Sequence, residues 1–281
     1  MKRLTIFSLL MCLSTVMGFS QFNEKVEVYE KEAIKNKKPV PYVFIREGDV
    51  MWSKTIWRMI DLRHKENMPL YYPLEPIGNR MSLIDLLLYG IKNEGVNAYD
   101  ANSSEAKTEF DVLLTKEQLD IAMDALPDTV KVADEAGVET TTVTEGRAKT
   151  EEVKQFLIKE KWYFDKQHSV MNVRIIGLCP VRLYTKDDNP SLLKKQVMWI
   201  YYPEVRALLT NHEIYNRYNE AQRISFDDYL MQRRFTGFVW AESNVYDDRW
   251  INEYTAGIQT LLEAERIDNE LFRLEHDMWV Y

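Results

Sequence analysis

Residues 155–203 constrain the fold of this chain more than any other stretch, because they read as three consecutive β-strands separated by polar turns. The predicted strands are residues 156–164, 170–184 and 196–202, with turns at 166–169 and 187–190. Pro203 is expected to end the third strand, since proline cannot donate a hydrogen bond to a neighbouring strand. An antiparallel β-meander of this kind has an apolar face that other parts of the chain must cover.

Segments with helical spacing of apolar residues precede and follow the meander. Ser82 and Thr115 resemble the first residues of capping boxes, which mark helix starts. The remaining predicted elements are a strand at 41–45, a helix from 53 or 55 to 64, extended chain at 68–73, a helix at 82–95, an edge strand at 96–100, a helix at 115–126, a strand at 235–240 and a helix at 250–279. We therefore predict an α+β fold, in which an antiparallel β-meander packs with helices and the chain ends in a long C-terminal helix.

The first 20 residues have the pattern of a secretory signal peptide. Lys2 and Arg3 precede a mainly apolar core at 4–17, and the predicted cut follows Ser20. A retained membrane anchor is the alternative, but this apolar core is short for one. Met11 stands where a lipoprotein signal needs a small residue before its cysteine, so we do not expect lipidation. No other stretch is apolar for long enough to span a bilayer, and no direct membrane span is predicted.

The rest of the chain divides into four predicted parts. They are an N-terminal arm at 21–40, an N-terminal α+β half at 41–127, a flexible linker rich in acidic residues and threonine at 128–150, and a C-terminal half at 151–281 that holds the meander and the long helix. A frayed terminus is the alternative for the arm. Three motifs of the first half recur in order in the second half, which indicates either a distant internal duplication or chance similarity. The pairs are Tyr71-Tyr72-Pro73 with Tyr201-Tyr202-Pro203, Ser82-Leu83-Ile84-Asp85 with Ser225-Phe226-Asp227-Asp228, and Ala98-Tyr99-Asp100 with Val245-Tyr246-Asp247.

Composition excludes some classes of function. The chain has 281 residues, is 46% hydrophobic and carries a formal net charge of -8, which predicts a globular protein without a nucleic-acid partner. The predicted mature chain keeps one cysteine, Cys179, so it cannot form an internal disulfide. Because Cys179 lies on an apolar strand, a buried inert thiol is favoured over a reactive one.

No catalytic motif is visible in the sequence. The four histidines (His64, His168, His212 and His276) lack the spacing of metal ligands, and there is neither a serine nucleophile elbow nor a phosphate-binding glycine loop. Three aspartate pairs, at 187–188, 227–228 and 247–248, lie in turns or at helix starts. Capping of free backbone N–H groups is the favoured role for them, and general acid–base catalysis is the alternative. We predict no catalytic residues, no cofactor and no metal site.

Aromatic residues are the remaining candidates for function. A set of them would suit stacking against sugars, although a sheet core or a subunit interface is favoured, because aromatic side chains dominate the energetics of both. The set is Trp52, Trp57, Trp162, Trp199, Tyr201, Tyr202 and Trp240. Apolar residues in the C-terminal helix follow a heptad-like pattern. This helix would lie across the sheet, and its end at 278–281 is a candidate contact for a partner.

Many short motifs in order resemble the GldN/PorN family of the Bacteroidetes type IX secretion and gliding-motility machinery. The matching stretches are Lys54-Thr55-Ile56-Trp57, Ile60-Asp61-Leu62, Pro69-Leu70-Tyr71-Tyr72-Pro73, Trp162-Tyr163-Phe164-Asp165-Lys166, Gly177-Leu178-Cys179-Pro180-Val181, Ile224-Ser225-Phe226-Asp227, Arg233-Arg234-Phe235, Asn244-Val245-Tyr246 and Glu275-His276-Asp277-Met278-Trp279. The chain departs from this family mainly in the segment 128–150 and at Asp247-Asp248, where a Gly-Asp is usual.

The resemblance implies a non-catalytic structural subunit located in the periplasm, at the inner face of the outer membrane. It implies that the protein forms rings with further copies of itself and with an outer-membrane lipoprotein of GldK/PorK type. It also implies coupling to the inner-membrane motor of GldL and GldM type, through the periplasmic part of the GldM/PorM subunit. A periplasmic enzyme or carbohydrate-binding module is the alternative, and it would have an acid-lined cleft.

Overall fold

A seven-stranded antiparallel sheet forms the centre of the protein. The computed structural model describes residues 36–78, 80–102, 108–125, 128–133, 139–144, 146–186 and 189–278. The strands of the sheet are β1 (Val50–Asp61), β2 (Ala98–Tyr99), β5 (Val153–Asp165), β6 (Val170–Lys186), β7 (Asn189–Gln196), β8 (Trp199–Tyr201) and β11 (Phe238–Glu242). Two short strands, β9 (Glu213–Ile214) and β10 (Ile224–Ser225), form a separate antiparallel pair. The strand order of the central sheet is β11-β1-β5-β6-β8-β2, and β7 also pairs with β6. The edge strand predicted at 96–100 is confirmed, since β2 lies at one end of this order.

Seven α-helices flank the sheet in the described part of the chain. They are α1 (Met68–Tyr71), α2 (Leu83–Tyr89), α3 (Lys116–Ala122), α4 (Tyr202–Asn211), α5 (Phe226–Met231), α6 (Ile251–Tyr254) and α7 (Ile258–Asp277). Ser82 caps α2 and Thr115 forms a capping box with Gln118 at the start of α3, so both predicted helix starts are confirmed. A π-helical turn over Gly90–Glu94 extends α2 and ends at Gly95, whose φ is +71°. The predicted α+β fold is confirmed.

The meander is longer and more divided than the sequence predicted. The strands predicted at 156–164 and 170–184 are confirmed as β5 and β6, which pair with Leu157 opposite Cys179. The single strand predicted at 196–202 is wrong: β7 ends at Gln196, β8 covers three residues, and Tyr202 begins α4. Pro203 therefore stands in the first turn of a helix, where a missing backbone N–H costs no hydrogen bond. Residues 187–188 of the predicted turn lie outside the described residues.

Strand β1 corrects the helix predicted over residues 53–64. Ile56, Met59 and Ile60 have helical spacing, but Trp57 between them is buried as well. Ile56 packs against α7 on one face of the sheet, and Trp57 and Met59 lie in a separate apolar cluster on the other face, so β1 is covered on both faces. A strand covered on both faces has a continuous apolar run, and periodicity alone does not separate such a run from a buried helix.

The C-terminal helix is interrupted near its start. Helix α6 ends at Tyr254, and α7 begins after Gly257, which has a φ of +62° that favours glycine. The continuous helix predicted over 250–279 is therefore wrong at this point. The long C-terminal helix itself is confirmed, since α7 has 20 residues and a length of about 30 Å. The aromatic end predicted as a partner contact, residues 279–281, lies outside the described residues.

Other boundaries differ from the predicted ones. Residues 41–45 have no strand, residues 68–71 form α1 in place of extended chain, and the strand predicted at 235–240 is β11, which begins at Phe238. Within the segment predicted as a linker, β3 (Asp128–Ala133) and β4 (Glu139–Thr144) form a hairpin. Alternation of valine with polar residues favours such strands, although acidic residues and threonine suggested a loop. Strands from both predicted halves of the chain share the central sheet.

The core is divided between the two faces of the sheet. On one face, Ile60, Phe156, Leu178 and Ile200 pack with α2, α3, α4 and α5, and next to them Ile56 and Val239 pack against α7. The opposite face carries a smaller cluster of Trp57, Met59, Leu157, Cys179, Val181, Trp199 and Ala241. None of the helices in the described residues has the length and apolar character needed to cross a bilayer.

The recurring motifs adopt different structures except at one place. Ser82 and Ser225 each cap a helix with a side-chain oxygen. By contrast, the peptide bond between Tyr72 and Pro73 is cis and follows α1, whereas Tyr202 and Pro203 begin α4. Ala98 lies in β2, but Val245 lies in a loop beyond β11. The shared unit is therefore a capped helix start, which unrelated helices also use.

Candidate functional site

The aspartate pair at 227–228 has a structural role at the start of α5. Asp227 is 3% exposed, and its carboxylate accepts two hydrogen bonds from Arg206, each 3.0 Å long, and one from the Tyr202 hydroxyl at 2.7 Å. Asp228 caps the helix by accepting a hydrogen bond from the Ser225 backbone N–H. Residues 187–188 lie outside the described residues. Asp227 thus holds α5 to α4, and Asp228 supports the start of α5.

The N-terminal segment, defined here as residues 36–46, lies over this ion pair. The Tyr42 ring lies 4.3 Å from the Arg206 guanidinium and 4.9 Å from that of Arg174. Lys37 forms a salt bridge with Asp228, and its backbone N–H donates to Asn211 Oδ1 at 2.9 Å. Residues 36–40 of the predicted arm are therefore attached to the helices, whereas residues 21–35 lie outside the described part.

Helix α7 is joined to the sheet by an ionic network around Glu160. The Arg58 guanidinium donates to Asp268 of α7 at 2.8 and 3.2 Å, and to Glu160 at 3.5 Å. Glu160 is fully buried and also accepts hydrogen bonds from Arg233 at 2.8 Å and from the Trp162 indole at 3.0 Å. Burial disfavours the charge of Arg58, but the Glu160 and Asp268 carboxylates outweigh it and raise the Arg58 pKa.

The outer face of α7 is apolar and open to solvent. Ile258, Leu261, Leu262 and Phe272 are exposed there, opposite the buried Ala264, Ile267 and Leu271. A helix that is apolar on two opposite faces can pack on the sheet with one face and contact a partner with the other. The prediction that this helix lies across the sheet is confirmed by its buried contacts, and its outer face leaves four large apolar side chains at the surface.

The tryptophans lie mainly in the core and do not form one flat platform. Trp57 and Trp199 are buried on the smaller face of the sheet, and Trp52 and Trp162 pack against α7. Trp240 packs edge-on against Trp250, with ring centroids 6.0 Å apart. The sheet-core interpretation fits these positions better than a sugar-stacking surface does.

An acid-lined cleft of about 350 Å³ opens above the smaller face of the sheet. Trp57, Trp199 and Trp250 form its walls, and Asp100, Glu109, Lys159, Asp247 and Asp248 are among its lining residues. The Lys159 ammonium lies 5.0 Å from the Trp57 ring and 2.5 Å from Glu109, so the protein places its own cation on this aromatic wall. No histidine lines this cleft, and no group of metal-ligating side chains occurs in the described ranges.

The histidines and the cysteine do not gather at one site. His168 lies 2.5 Å from the Asp165 carboxylate, and this hydrogen bond lowers the pKa of Asp165. His212 approaches the Leu208 carbonyl at 3.0 Å, while His64 and His276 are in other parts of the fold. Cys179 is fully buried, and burial raises the pKa of its thiol, so the inert interpretation of this cysteine is supported.

A second concave site, the arginine pocket, was not predicted from the sequence. This cavity of about 450 Å³ is lined by Glu66, Pro69, Tyr215, Asn216, Arg217, Tyr218, Ile224, Tyr229, Arg233, Arg234, Phe235 and Thr236. The adjacent arginines at 233 and 234 were visible as a motif, but Arg217 joins them only through the tertiary fold. The pocket could therefore not be located from the spacing of these arginines along the chain.

Comparison with known proteins identifies the family. The family model described as gliding motility associated protein GldN matches residues 45–280, a range that includes the central sheet and all seven described helices. No curated protein matches the chain. The family resemblance inferred from the short motifs is confirmed. The chain belongs to the GldN family, whose members are components of the gliding-motility and type IX secretion machinery.

Proposed function

We propose that this protein is a non-catalytic structural subunit of the type IX secretion and gliding machinery. In this proposal it forms a periplasmic ring with an outer-membrane lipoprotein of GldK/PorK type and couples to the inner-membrane motor of GldL/GldM type. The observation that carries the proposal is the family match over residues 45–280. The periplasmic location, at the inner face of the outer membrane, depends on the predicted signal peptide at residues 1–20.

The exposed apolar surface supports a role in assembly. Val40, Val43 and Phe44 of the N-terminal segment are exposed, and Phe44 is 84% accessible to solvent. The outer face of α7 adds the second exposed apolar surface described above. Large apolar side chains grouped at the surface are typical of contacts with other proteins, with membranes or with ligands.

Our hypothesis is that residues 21–39 and the end of the last helix contact neighbouring subunits or the lipoprotein. The structure sharpens the experiment, because Lys37 is bound to Asp228 and Asn211. A deletion that ends at residue 35 leaves this attachment intact. We expect the truncated protein to keep the unfolding transition of the full protein but to lose assembly with the lipoprotein.

Co-expression with the lipoprotein, followed by sizing and electron microscopy, tests the proposal. We expect the full protein to form a large ring-shaped complex. A matched control is Glu117→Lys, which reverses one exposed charge on α3 and should leave the complex unchanged. Failure of the full protein to assemble with the lipoprotein would overturn the proposed ring, and assembly by the truncated protein would overturn the role of residues 21–35.

The acid-lined cleft favours a second candidate function, a carbohydrate-binding module or enzyme. Its aromatic walls and its carboxylates are groups that sugar-binding sites use. Titration calorimetry with peptidoglycan fragments and other periplasmic oligosaccharides tests this function. Binding that disappears in Trp250→Ala would support the alternative. Absence of heat and of product release with the full protein would exclude it for the ligands used.

A further inference from the structure

We propose that copies of this protein associate head to tail, with the loop after strand β11 of one copy inserted into the arginine pocket of the next. The acidic loop and the basic pocket have complementary chemistry, and they lie at opposite ends of one edge strand. The inference deepens the proposed function, since it gives a location to the contact between neighbouring copies.

The arginine pocket offers guanidinium groups that the protein leaves without carboxylate partners. Among the described residues, no carboxylate lies within salt-bridge distance of Arg217 or Arg234. Arg217 lies 5.7 Å from the Tyr218 ring, and Arg234 donates to the Gln232 side chain at 2.8 Å. Because guanidinium groups form paired hydrogen bonds with carboxylates, the pocket suits an acidic segment with an aromatic or apolar residue.

The walls of the pocket are held in place before any partner binds. The Asn67 side chain is fully buried and donates to the Thr236 carbonyl at 2.8 Å. The same side chain accepts a hydrogen bond from the Thr236 backbone N–H at 3.0 Å. On the other side, the Tyr229 hydroxyl donates to the Glu66 carbonyl at 2.6 Å. A preformed pocket loses little conformational entropy on binding, which favours association.

The loop over residues 244–249, called the aspartate loop, projects apolar and acidic side chains. Val245 is 91% exposed and Tyr246 is 68% exposed. Asp247 and Asp248 have φ values of +53° and +57°, in the left-handed region that only a few per cent of non-glycine residues occupy. Asn244 holds the loop by accepting a hydrogen bond from the Tyr246 backbone N–H at 2.9 Å and by donating to the Arg249 carbonyl at 3.1 Å.

Because of where the aspartate loop and the arginine pocket lie, the contact must join two copies of the protein. Phe235 and Thr236 line the pocket and stand just before β11, whereas the aspartate loop begins two residues after this strand. Five residues of strand span about 17 Å, so the loop cannot enter the pocket of its own chain. A contact that uses different surfaces on its two copies repeats from copy to copy, and it closes into a ring when the rotation between neighbours permits.

The groups of the loop match those of the pocket. Tyr246 would pack on Tyr215 and Tyr218, which are exposed at the pocket. The carboxylates of Asp247 and Asp248 would pair with the guanidinium groups of Arg217 and Arg234. Arg249 of the loop does not compete for these partners, because its guanidinium stacks on the Tyr246 and Tyr254 rings, at 5.2 and 4.6 Å.

Charge exchange between two variants of the purified protein tests the inference by analytical ultracentrifugation. The loop variant is Asp247→Lys, and the pocket variant combines Arg217→Glu with Arg234→Glu. All three side chains are exposed, and circular dichroism checks that the fold is kept. We expect the dissociation constant for self-association of each variant alone to be at least about tenfold higher than that of the natural protein. Mixing the two should restore association, because each loop then meets a pocket of opposite charge.

Several outcomes would overturn the inference. They are a natural protein that stays monomeric at high concentration, variants that associate like the natural protein, and a mixture that restores nothing. Asp247→Asn is a second loop variant that tolerates the left-handed backbone, and it should also weaken association. Glu117→Lys is a matched control on an exposed position of α3, away from both surfaces, and it should have no effect.

Disulfide cross-linking gives a second, independent readout. We expect a protein that carries both Tyr218→Cys and Tyr246→Cys to form a ladder of covalent oligomers on oxidation, whereas either single variant should stay monomeric. Dimers from a single variant would indicate a symmetric contact and would overturn the head-to-tail arrangement. Because these measurements use the protein alone, their failure is distinct from a failure to assemble with the lipoprotein.

Discussion

The C-terminal helix and the N-terminal segment both lie against the sheet and its helices, but they are held in different ways. Helix α7 buries Ala264, Ile267 and Leu271 against Ile56 and Val239, and its Asp268 pairs with the buried Arg58. The N-terminal segment depends on the Lys37 salt bridge and on the Tyr42 ring, while its Val43 and Phe44 side chains stay exposed. One end is part of the core, and the other rests on the surface.

The two attachments differ in how much free energy they contribute. Each large apolar side chain buried under α7 contributes about 1.5–3 kcal/mol, whereas a surface ion pair contributes about 0–1 kcal/mol and a cation–π contact about 0.5–2 kcal/mol. Helix α7 should therefore separate from the sheet only when the protein unfolds, while the N-terminal segment can detach alone. The family match includes α7 and begins at residue 45, next to the end of the N-terminal segment.

The largest effect is expected at Glu160, which links the sheet to α7. Glu160→Ala leaves Arg58 and Arg233 in a buried site without their shared carboxylate. We expect the free energy of unfolding to fall by about 3–5 kcal/mol, measured by urea denaturation. Glu117→Ala, on an exposed position of α3, is the matched control and should change it by less than about 0.5 kcal/mol. If Glu160→Ala lowers the free energy of unfolding as little as the control variant does, the network does not secure α7.

A second test compares the two faces of α7. Leu271→Ala removes a buried side chain and should lower the free energy of unfolding by about 2–4 kcal/mol. Phe272→Ala, one residue further, removes an exposed ring and should cost less than about 0.5 kcal/mol. Urea denaturation of both variants measures the contrast. Equal losses would mean that the outer face of α7 is packed in the protein alone.

The third test concerns the N-terminal segment. Tyr42→Ala removes the ring that lies over Arg206 and Arg174. We expect the free energy of unfolding to fall by about 1 kcal/mol. Because the segment can detach without unfolding, limited proteolysis should cut Tyr42→Ala before residue 46 faster than the natural protein. Phe44→Ala is the control and should be cut at the natural rate. A loss at Tyr42 that equals the loss at Leu271 would remove the distinction between the two ends.

The smallest effect is expected from acid at the Lys37–Asp228 pair. Burial raises the pKa of the Asp228 carboxyl, but hydrogen bonds from Lys37 and Ser225 outweigh it, so the pKa is lowered overall. A depressed folded-state pKa means that the stabilisation is present above the unfolded value of about 3.9 and is lost as pH falls through the folded value. The contribution should be below about 1 kcal/mol.

Urea denaturation of the natural protein and of Asp228→Asn, between neutral pH and pH 3, measures this contribution. The two stabilities should converge as the pH falls below about 4, since the natural carboxyl then loses its charge. Asp277→Asn, near the end of α7, is the control and should change the free energy of unfolding by less than about 0.5 kcal/mol at neutral pH. A difference between natural protein and Asp228→Asn that grows toward acid would contradict the assigned pair.

The sequence correctly predicted the elements that depend on interactions between residues close together in the chain. The hydroxyl and amide of Thr115 and Gln118 form a capping box within one turn, and the predicted start of α3 is where the structure has it. The strands β5 and β6 also followed from their β-branched and aromatic runs. In β1, by contrast, the apolar run was assigned to a helix, because the covering of its two faces depends on remote parts of the chain, α7 on one face and the cluster with Trp199 on the other.

Candidate sites were harder to predict for the same reason. The absence of catalytic motifs stays a prediction, and the acid-lined cleft combines residues from five separate stretches of the chain. The aspartates at 247 and 248 were noted as a departure from the family pattern, but their left-handed backbone was not visible in the sequence. Arg217 and Arg234 were not recognised as parts of one pocket, because no short-range spacing connects them.

The sequence by itself determined the α+β class, the capped helix starts, the two long strands and the family, because each depends on neighbouring residues or on motifs in order. The tertiary structure decided which strands are covered on both faces, where the C-terminal helix breaks, and which charged side chains meet. These features arise from burial and from contacts between distant segments, whose free energies depend on three-dimensional neighbours and not on local propensity.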